Sequence, residues 1–207
     1  MPNAILDPTG RADRTQAPAV KGAGLNLAPR PGDLRGATVG LLVNTKQNAA
    51  LFLGEVGKLL VERHGAAGVM ARTKTAFALP ASEELLKEMT TECDVVVTGI
   101  GDCGSCSASA VTDGVALESR GTPAAVICSD AFRGSADAIA GLRGAPGYRY
   151  VTTPHPVAVL TPDQVRERAV TVLPEVVSML VDEAARATGT TDAADAAGAA
   201  GVDRGAA

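Results

Sequence analysis

The fold is decided by the stretch Asp94-Val95-Val96-Val97-Thr98-Gly99-Ile100-Gly101-Asp102-Cys103-Gly104-Ser105-Cys106 near the middle of the chain. Its first five residues, with their run of valines, are typical of a buried strand in a parallel sheet. The glycines that follow predict a loop over residues 99–102, and residues 104–120 then predict a helix. A strand, a glycine-rich loop and a helix in this order form the start of a βαβ unit.

The same alternation of apolar runs and amphipathic stretches continues on both sides of this segment. It predicts strands at residues 37–43, 68–72, 94–98, 124–128 and 148–152, and helices at 47–64, 83–91, 104–120, 131–143 and 162–187. Gly65 is expected to end the first helix, Ser82 to cap the second, and Pro174 to kink or divide the last. Five such units predict an open, doubly wound, mainly parallel five-stranded α/β sheet, flavodoxin-like or Rossmann-like, with helices on both faces.

We predict one folded domain between two ends with little regular structure. Residues 36–187 form the single α/β domain, which is long enough to bury a core by itself. Residues 1–35 hold several prolines without sustained periodicity and are expected to form an extended or disordered arm. Residues 188–207, rich in Ala, Gly and Asp, are expected to form a disordered tail.

Composition argues against several classes of function. The net charge is −4 and no basic run occurs, so nucleic acid is not an expected partner. No apolar run approaches the length of a membrane span, and the N-terminus does not resemble a signal peptide. We therefore expect a cytoplasmic protein without membrane association, in a compartment where thiols stay reduced. Its four cysteines are then predicted to be reactive or buried thiols rather than structural disulfides.

Cys103 and Cys106 are the predicted catalytic pair. They follow the third strand, at the carboxyl edge of the sheet where open parallel sheets bind their ligands. Free backbone N–H groups and the dipole at the start of a helix should lower the pKa of the Cys103 thiol. Cys106 lies one helical turn further on and is placed to resolve a sulfenic acid or a mixed disulfide.

His155, flanked by two prolines after the fifth strand, is the third predicted catalytic residue, as a general acid–base or a partner of the thiolate. An ionised Asp102 would raise the pKa of Cys103, and the sequence leaves this conflict open. Asn44, Asp102 and Asp130 also stand where a helix cap is expected, which is the structural alternative for each. The residues predicted to bind substrate are Asn44, Lys46, Asp102, Gly104, Ser105 and Asp130.

Other interpretations of the cysteines remain open. The CxxC spacing also arises by chance, where small residues pack at a turn. A mixed zinc site with Cys128 and His155 is an alternative, although Cys93 lies at the far end of the third strand and cannot join it. No complete dinucleotide fingerprint or P-loop occurs. We expect no metal and no cofactor, and an external thiol or dithiol as reductant.

The motif and its surroundings resemble the UGSC family of proteins and selenoproteins. The resemblance spans residues 37–160. In selenoprotein members, selenocysteine takes the first position of a Sec-Gly-Ser-Cys motif, to which Cys103 corresponds, while Cys106 corresponds to the final Cys. The resemblance implies that Cys103 is the attacking atom and that the chain forms a homo- or hetero-oligomer with a related subunit. The matching segments are Val39-Gly40-Leu41-Leu42-Val43-Asn44-Thr45-Lys46-Gln47-Asn48-Ala49, Gly101-Asp102-Cys103-Gly104-Ser105-Cys106-Ser107 and Thr153-Pro154-His155-Pro156.

Three functions compete. The first is a thiol-dependent redox enzyme or reductase subunit acting on a small molecule, in which Cys103 attacks and Cys106 resolves. The second is a non-redox cysteine enzyme (lyase, hydrolase, hydratase or racemase) that uses Cys103 as nucleophile or base on a small acid. The third is a non-catalytic subunit of a hetero-oligomer. We favour the first, because two thiols stand at CxxC spacing on a predicted helix start.

Overall fold

Five strands form one sheet in the computed structural model, which describes residues 26–182. All neighbouring strands pair in parallel, in the order β2-β1-β3-β4-β5. This is the strand order of flavodoxin-like doubly wound sheets, so the predicted α/β fold class is confirmed in its flavodoxin-like form. The strands are β1 (Thr38–Val43), β2 (Gly68–Thr73), β3 (Val95–Gly101), β4 (Ala124–Ser129) and β5 (Val151–Thr153).

Helices cover both faces of the sheet. They are α1 (Ala49–His64), α2 (Glu83–Glu92), α3 (Gly104–Ser119), α4 (Arg133–Leu142) and α5 (Pro162–Leu180), with a 3-10 turn at Asp130–Phe132 before α4. On one face, α1 and α5 pack against the strands in a core that includes Phe52 and Leu180. On the other face, α2, α3 and α4 form two clusters, one around Val111 and one around Met89.

The central strand β3 is longer than the sequence predicts. The strand continues through Gly99, Ile100 and Gly101, where a loop was expected, and its register against β4 shifts between Gly99 and Gly101. Every residue of β3 is buried, because helices cover both faces of the sheet at its centre. A Cβ at Gly101 would lie 2.6 Å from the Cys128 Sγ atom, so this glycine permits a close approach. Cys103 consequently stands only two residues beyond the end of a rigid strand.

Several other predicted boundaries differ from those of the structure. Pro174 lies inside α5 and does not divide it. Proline has no N–H to donate to the carbonyl of Val170, four residues earlier. Both residues are exposed, so water can hydrate that carbonyl. This helix ends at Leu180, and residues 183–187 of the prediction lie outside the described residues. β5 starts at Val151 instead of residue 148, and α4 begins at Arg133 after the 3-10 turn instead of at residue 131.

The described part of the predicted arm, residues 26–35, has neither helix nor strand but lies against the domain. Arg30 pairs with the buried carboxylate of Glu118, with 2.6 Å between Nη2 and Oε1. The same carboxylate accepts hydrogen bonds from the backbone N–H groups of Ala28 and Ala124. A buried charge satisfied in this way ties the chain before β1 to the start of β4. Residues 1–25 and the predicted tail, 188–207, lie outside the described residues.

Two predicted helix ends are confirmed. Ser82 Oγ accepts a hydrogen bond from the Leu85 N–H at 3.3 Å, and Gly65 ends α1 with a left-handed φ of 71°.

Over residues 26–182, no helix is both long enough and apolar enough to cross a bilayer.

Candidate active site

Cys103 and Cys106 lie at the carboxyl edge of the sheet, between β3 and α3. Cys103 is the N-cap residue of α3, and Cys106 belongs to its first turn. The two sulfur atoms are joined in a disulfide, with the Cα atoms 5.1 Å apart. This separation falls within the range over which two cysteines can bond, since the start of a helix brings residues i and i+3 together. The two thiols predicted as a pair therefore occupy one site.

The two sulfurs differ in exposure. Cys103 is half-buried, whereas Cys106 has no exposed surface. The Cys106 N–H donates to Cys103 Sγ at 3.2 Å, and the Ser105 hydroxyl lies 3.6 Å from the same sulfur. Donors at the start of a helix stabilise a thiolate more than a thiol. In the reduced protein Cys103 is thus expected to be the accessible and more acidic sulfur.

His155 forms a hydrogen bond with Asp102, the residue that precedes Cys103. Its Nδ1 atom lies 2.9 Å from Asp102 Oδ1 and 3.2 Å from Ser129 Oγ. The ring packs edge-on to Phe132, with 5.2 Å between the ring centroids, and the side chain stays 37% exposed. Residues far apart in sequence therefore meet beside the cysteine pair.

The buried carboxylate of Asp102 also holds the loop that follows β5. It accepts hydrogen bonds from the backbone N–H groups of Val157 and Ala158, at 3.0 and 2.9 Å from Oδ2. The N-cap of α3 is Cys103, whose sulfur accepts the N–H of Cys106, so the alternative in which Asp102 caps this helix is wrong. Asp102 is an anchor between β3 and the loop after β5.

Asp130 and Arg168 fix the same loop from two further elements. Asp130 Oδ1 accepts the backbone N–H of His155 at 3.0 Å. The N-cap of α4 is Phe132, which makes no side-chain cap bond, so the alternative in which Asp130 caps that helix is also wrong. Arg168 of α5 donates to the carbonyl oxygen of Pro154 at 2.6 Å. The position of His155 is thus set by groups that follow β3 and β4 and by α5.

Asn44 and Lys46 lie after β1. Asn44 is buried, its Nδ2 donates to the Ile100 carbonyl at 2.9 Å, and its Oδ1 accepts the Lys46 N–H at 3.1 Å. The N-cap of α1 is Asn48, so the alternative in which Asn44 caps this helix is wrong. The Lys46 ammonium lies 5.4 Å from the centroid of the Phe77 ring. Contact of Asn44 or Lys46 with a substrate stays a prediction.

Gly104 and Ser105 form the start of α3. Ser105 is exposed, with its hydroxyl near Cys103 Sγ. A Cβ at Gly104 would lie 3.4 Å from Ser135 Oγ, so a side chain there would narrow the space between α3 and α4. Both residues border the cysteine pair, and their contact with a substrate also stays a prediction.

Asn48 and Ser129 shape the site, but neither is among the site residues predicted from the sequence. Asn48 has a left-handed φ of 65°, and its Nδ2 donates to the carbonyl oxygens of Val157 and Leu160. Its place just before a helical periodicity was a signal for a cap, but nothing local indicates a bond to a loop more than 100 residues away. Ser129 was visible as a polar residue ending a strand, without any sign of its partner.

Cys93 and Cys128 are buried in the interior of the domain. Burial raises the pKa of Cys93 to about 11 and that of Cys128 to about 12. Cys93 packs in the apolar cluster beneath α2, in agreement with the expected buried thiol. Both are expected to remain protonated near neutral pH, the form in which a thiol does not act as a nucleophile.

Lys74 is buried although it follows β2 at the site edge. It forms an ion pair with Asp113 and donates to Ser109 Oγ at 2.6 Å. Burial raises the pKa of Asp113, while Lys74 acts in the opposite direction. Because Asp113 also accepts the Ala81 N–H, the cluster fastens the segment between β2 and α2 onto α3.

Within residues 26–182, no three or more His, Cys, Asp or Glu side chains are grouped to hold a metal ion.

Two solved structures with a similar chain trace are flavodoxin-like or flavoprotein structures. A flavodoxin-like domain from Synechococcus sp. has 13% identity and a TM-score of 0.36, over 75% of this chain and 99% of that one. The diflavin flavoprotein A3 from Nostoc sp. has 14% identity and a TM-score of 0.34, over 78% of this chain and 96% of that one. No curated protein sequence matches the chain significantly.

One protein family matches along most of the chain. The family model described as the UGSC family matches residues 4–182, which include both cysteines of the pair and His155. The match confirms the resemblance noted from the cysteine motif and its flanking segments. The chain belongs to the UGSC family.

Proposed function

We propose that this chain is a thiol-dependent redox enzyme, or a reductase subunit, in which Cys103 and Cys106 cycle between dithiol and disulfide to reduce a small molecule. The observation that carries the proposal is the bonded pair at the first turn of α3. A helix start lowers thiol pKa values and so favours exchange chemistry. The cycle needs no cofactor bound by the chain, only an external thiol or dithiol as reductant.

The environments of the two sulfurs support different roles for them. Cys103 is half-buried and accepts an N–H bond, which suits an attacking thiolate. Cys106 has no exposed surface, so it can reach only an adduct already formed on Cys103. This difference suits a resolving residue, which must attack its neighbour and not the incoming substrate.

In the proposed cycle, the Cys103 thiolate attacks one sulfur of a small disulfide R–S–S–R′. The S–S bond breaks, and R′–S⁻ leaves with the electron pair and takes up a proton. Cys106 then loses its proton and attacks Cys103 Sγ, so that the intramolecular disulfide forms and R–S⁻ leaves and is protonated. The substrate gains two electrons, the pair loses two, and an external dithiol restores them. His155 is proposed to exchange protons with the departing and attacking sulfurs.

Mass spectrometry after alkylation tests the redox proposal. The reduced protein is mixed with glutathione disulfide, quenched with iodoacetamide and digested. We expect the Cys103–Cys106 disulfide to form while Cys93 and Cys128 remain thiols, and Cys106→Ser to accumulate glutathione on Cys103. Cys103→Ser should form no adduct at residue 106. If the wild-type pair never forms its disulfide, the redox proposal is wrong.

A second candidate function is a non-redox cysteine enzyme acting on a small acid. The observation that favours it is the Asp102–His155 bond beside Cys103, since a nucleophile, a base and an orienting carboxylate recur in covalent catalysis. This function needs Cys103 but no change in its oxidation state. Under reducing conditions, full activity in Cys106→Ser would favour it, and equal losses in Cys103→Ser and Cys106→Ser would contradict it.

The setting in which the chain acts also remains a proposal. We propose a cytoplasmic protein that takes a small-molecule substrate, because a reducing compartment would return the pair to its dithiol form. We also propose that it assembles as a homo-oligomer or with a related subunit, as its resemblance to the family implies. Sedimentation of the purified chain, alone and with a co-expressed neighbouring subunit, tests the assembly. A chain that stays monomeric in both experiments and turns over a substrate would contradict it.

A further inference from the structure

Asp102 presents a problem for the proposed function. It stands directly before Cys103, and a nearby carboxylate ordinarily raises the pKa of a thiol. Yet its side chain is only 2% exposed and accepts hydrogen bonds from three donors: His155 Nδ1, Val157 N–H and Ala158 N–H. These donors satisfy the charge locally, which weakens its effect on the neighbouring sulfur. The carboxylate is therefore built into the site.

The hydrogen-bond partners of His155 determine where its proton lies. The Ser129 hydroxyl has one hydrogen, and it donates this to the Gly101 carbonyl at 3.1 Å. Toward His155 Nδ1, at 3.2 Å, Ser129 can then only accept. Asp102 Oδ1, at 2.9 Å, is a carboxylate oxygen and also accepts. Two acceptors meet Nδ1, so Nδ1 carries the hydrogen and Nε2 of the neutral ring is the open proton acceptor.

We infer that Asp102 and Ser129 are positioning residues, which hold His155 in the Nδ1–H tautomer so that Nε2 accepts and returns the proton of the thiol chemistry at Cys103. The inference rests on the proposed function for the chemistry that Nε2 serves. The carboxylate beside the thiol then acts mainly through the imidazole and only weakly as a repelling charge.

The same geometry rules out a different use of these three residue types. In a Ser-His-Asp hydrolase, the serine bonds one ring nitrogen and the aspartate the other, so that the histidine can take the proton of the serine. Here Ser129 and Asp102 both face Nδ1, and Ser129 has no exposed surface. Ser129 is consequently not placed as the nucleophile of such a triad, and Nε2 has no hydrogen-bond partner among Asp102 and Ser129.

Several charged groups surround the loop that carries His155. Asp102 follows β3 and bonds the ring, while Asp130 follows β4 and bonds the backbone N–H of His155. Arg133 of α4 bonds the Thr152 hydroxyl, and Arg168 of α5 bonds the Pro154 carbonyl. Of these groups, only Asp102 forms a hydrogen bond with the imidazole. A change in the pH dependence of Cys103 alkylation that arises from the imidazole can therefore be distinguished from effects of the other charged groups by changing Asp102 alone.

The decisive variant is Asp102→Asn. Its amide can offer one oxygen to Val157 N–H and Ala158 N–H, and it then turns its NH₂ group toward His155. We expect Nδ1 to accept from that group, with the ring proton moved to Nε2, because Ser129 Oγ at 3.2 Å is then the only acceptor left at Nδ1 among the two groups that face it. A matched control is Asp137→Asn, because Asp137 is an exposed carboxylate of α4 that accepts a hydrogen bond from the Tyr150 hydroxyl at 2.6 Å and forms none with His155.

Two measurements on the full-length reduced protein test the inference. Long-range proton–nitrogen NMR reads the tautomer directly, and His64→Gln assigns the signals because the chain has two histidines. We expect hydrogen on Nδ1 in the wild type and on Nε2 in Asp102→Asn. The second readout is the rate–pH profile of Cys103 alkylation by iodoacetamide. This rate at neutral pH should fall about tenfold in Asp102→Asn, the equivalent of one pKa unit, and stay unchanged in Asp137→Asn.

The sign of the alkylation effect discriminates between the two roles of Asp102. If Asp102 acted only as a neighbouring negative charge, its removal would lower the pKa of Cys103 and speed alkylation. Faster alkylation, or an Nε2–H ring in the wild type, overturns the inference. The wild-type tautomer and the alkylation of Cys103 are measured without a substrate. The inference about Asp102 can therefore fail while the disulfide still forms with glutathione disulfide. It can also hold when that disulfide does not form, in which case only the proposed function is wrong. Should Asp102→Asn not fold, the wild-type spectrum still decides the tautomer.

Discussion

The protein holds two pairs of cysteines at different places in the fold, and of the four only Cys103 is partly exposed. Cys103 and Cys106 stand at the open end of the sheet, where the first turn of α3 supplies an N–H donor to sulfur. Cys93 and Cys128 lie in the apolar interior, where burial raises their pKa to about 11 and about 12. In this structure Cys103 and Cys106 form a disulfide, while Cys93 and Cys128 are free thiols. Because solvation and backbone donors set the reactivity of a thiol, we expect the reduced pair and the interior thiols to react at different rates.

Gly101 separates the two environments. A Cβ at this position would meet Cys128 Sγ on the interior side, while Cys103 begins the helix two residues later. Gly101 therefore lies against the buried Cys128 of β4 and only two residues before the partly exposed Cys103. The predictions below test this contrast, beginning with the largest expected effect.

The largest effect is expected from Cys103→Ser, which should lower the rate of thiol–disulfide exchange by on the order of 10³-fold, as loss of a nucleophile does. Cys128→Ala should leave the rate within about twofold, because its thiol is protonated and inaccessible. Both rates are measured by release of a coloured thiol from an aromatic disulfide. Equal losses in the two variants would remove the contrast between the pairs.

In the reduced wild type, Cys103 should be alkylated at least about a hundredfold faster than Cys93 and Cys128 at neutral pH. Cys103 is expected to react first and Cys93 and Cys128 last, since thiolate forms only far above neutral pH at the two buried sites. Peptide mass spectrometry after timed quenching gives the four rates. Comparable rates at Cys103 and Cys128 would contradict the proposed helix-start activation.

Gly101→Ala should destabilise the domain by roughly 1–3 kcal/mol, because the added methyl group overpacks the site. Its Cβ would come within 2.6 Å of Cys128 Sγ and 2.9 Å of the Ser107 Cα, which is backbone and cannot simply rotate away. Gly134→Ala on the exposed surface of α4 is the matched control, since nothing lies within 4 Å of its Cβ. The control should stabilise by up to about 1 kcal/mol through helix propensity. Urea unfolding curves provide both values.

The last expected effect is a fall in stability at alkaline pH. Cys93 and Cys128 have folded-state pKa values above the value of about 8.5 for an unfolded thiol. Their contribution is complete below about pH 8.5 and is lost as the pH rises through about 11 for Cys93 and about 12 for Cys128, since the unfolded chain then binds fewer protons than the folded one. Cys128→Ala should make the free energy of unfolding fall less steeply over this range. An unchanged slope would contradict the assigned burial.

Several parts of the fold were predictable because they depend on local patterns. Apolar runs such as Ala124–Ser129 and the helical periodicity of α1 predicted a parallel α/β sheet, and Ser82 and Gly65 marked two helix ends. The unbroken course of α5 was not predictable in the same way. Whether Pro174 breaks a helix depends on which side of it is hydrated, and this follows from packing.

The candidate site was predictable only in part. The cysteine pair and His155 could be chosen because chemical type and position after a strand point to them. The tasks of Asp102, Asp130 and Asn44 were not, since each looked like a helix cap and instead bonds a distant loop or strand. Backbone groups that need a partner can take it from any part of the chain, and sequence spacing does not show which.

By itself, the sequence determined the order of strands and helices, the CxxC spacing of Cys103 and Cys106 and the family to which the chain belongs. These depend on residues close together in the chain. Only the tertiary structure decided that Cys103 is accessible while Cys128 is sealed, and that Asp102 faces the imidazole of His155. Solvation and hydrogen-bond direction arise where distant segments meet, so they exist only after the sheet has brought its carboxyl ends together.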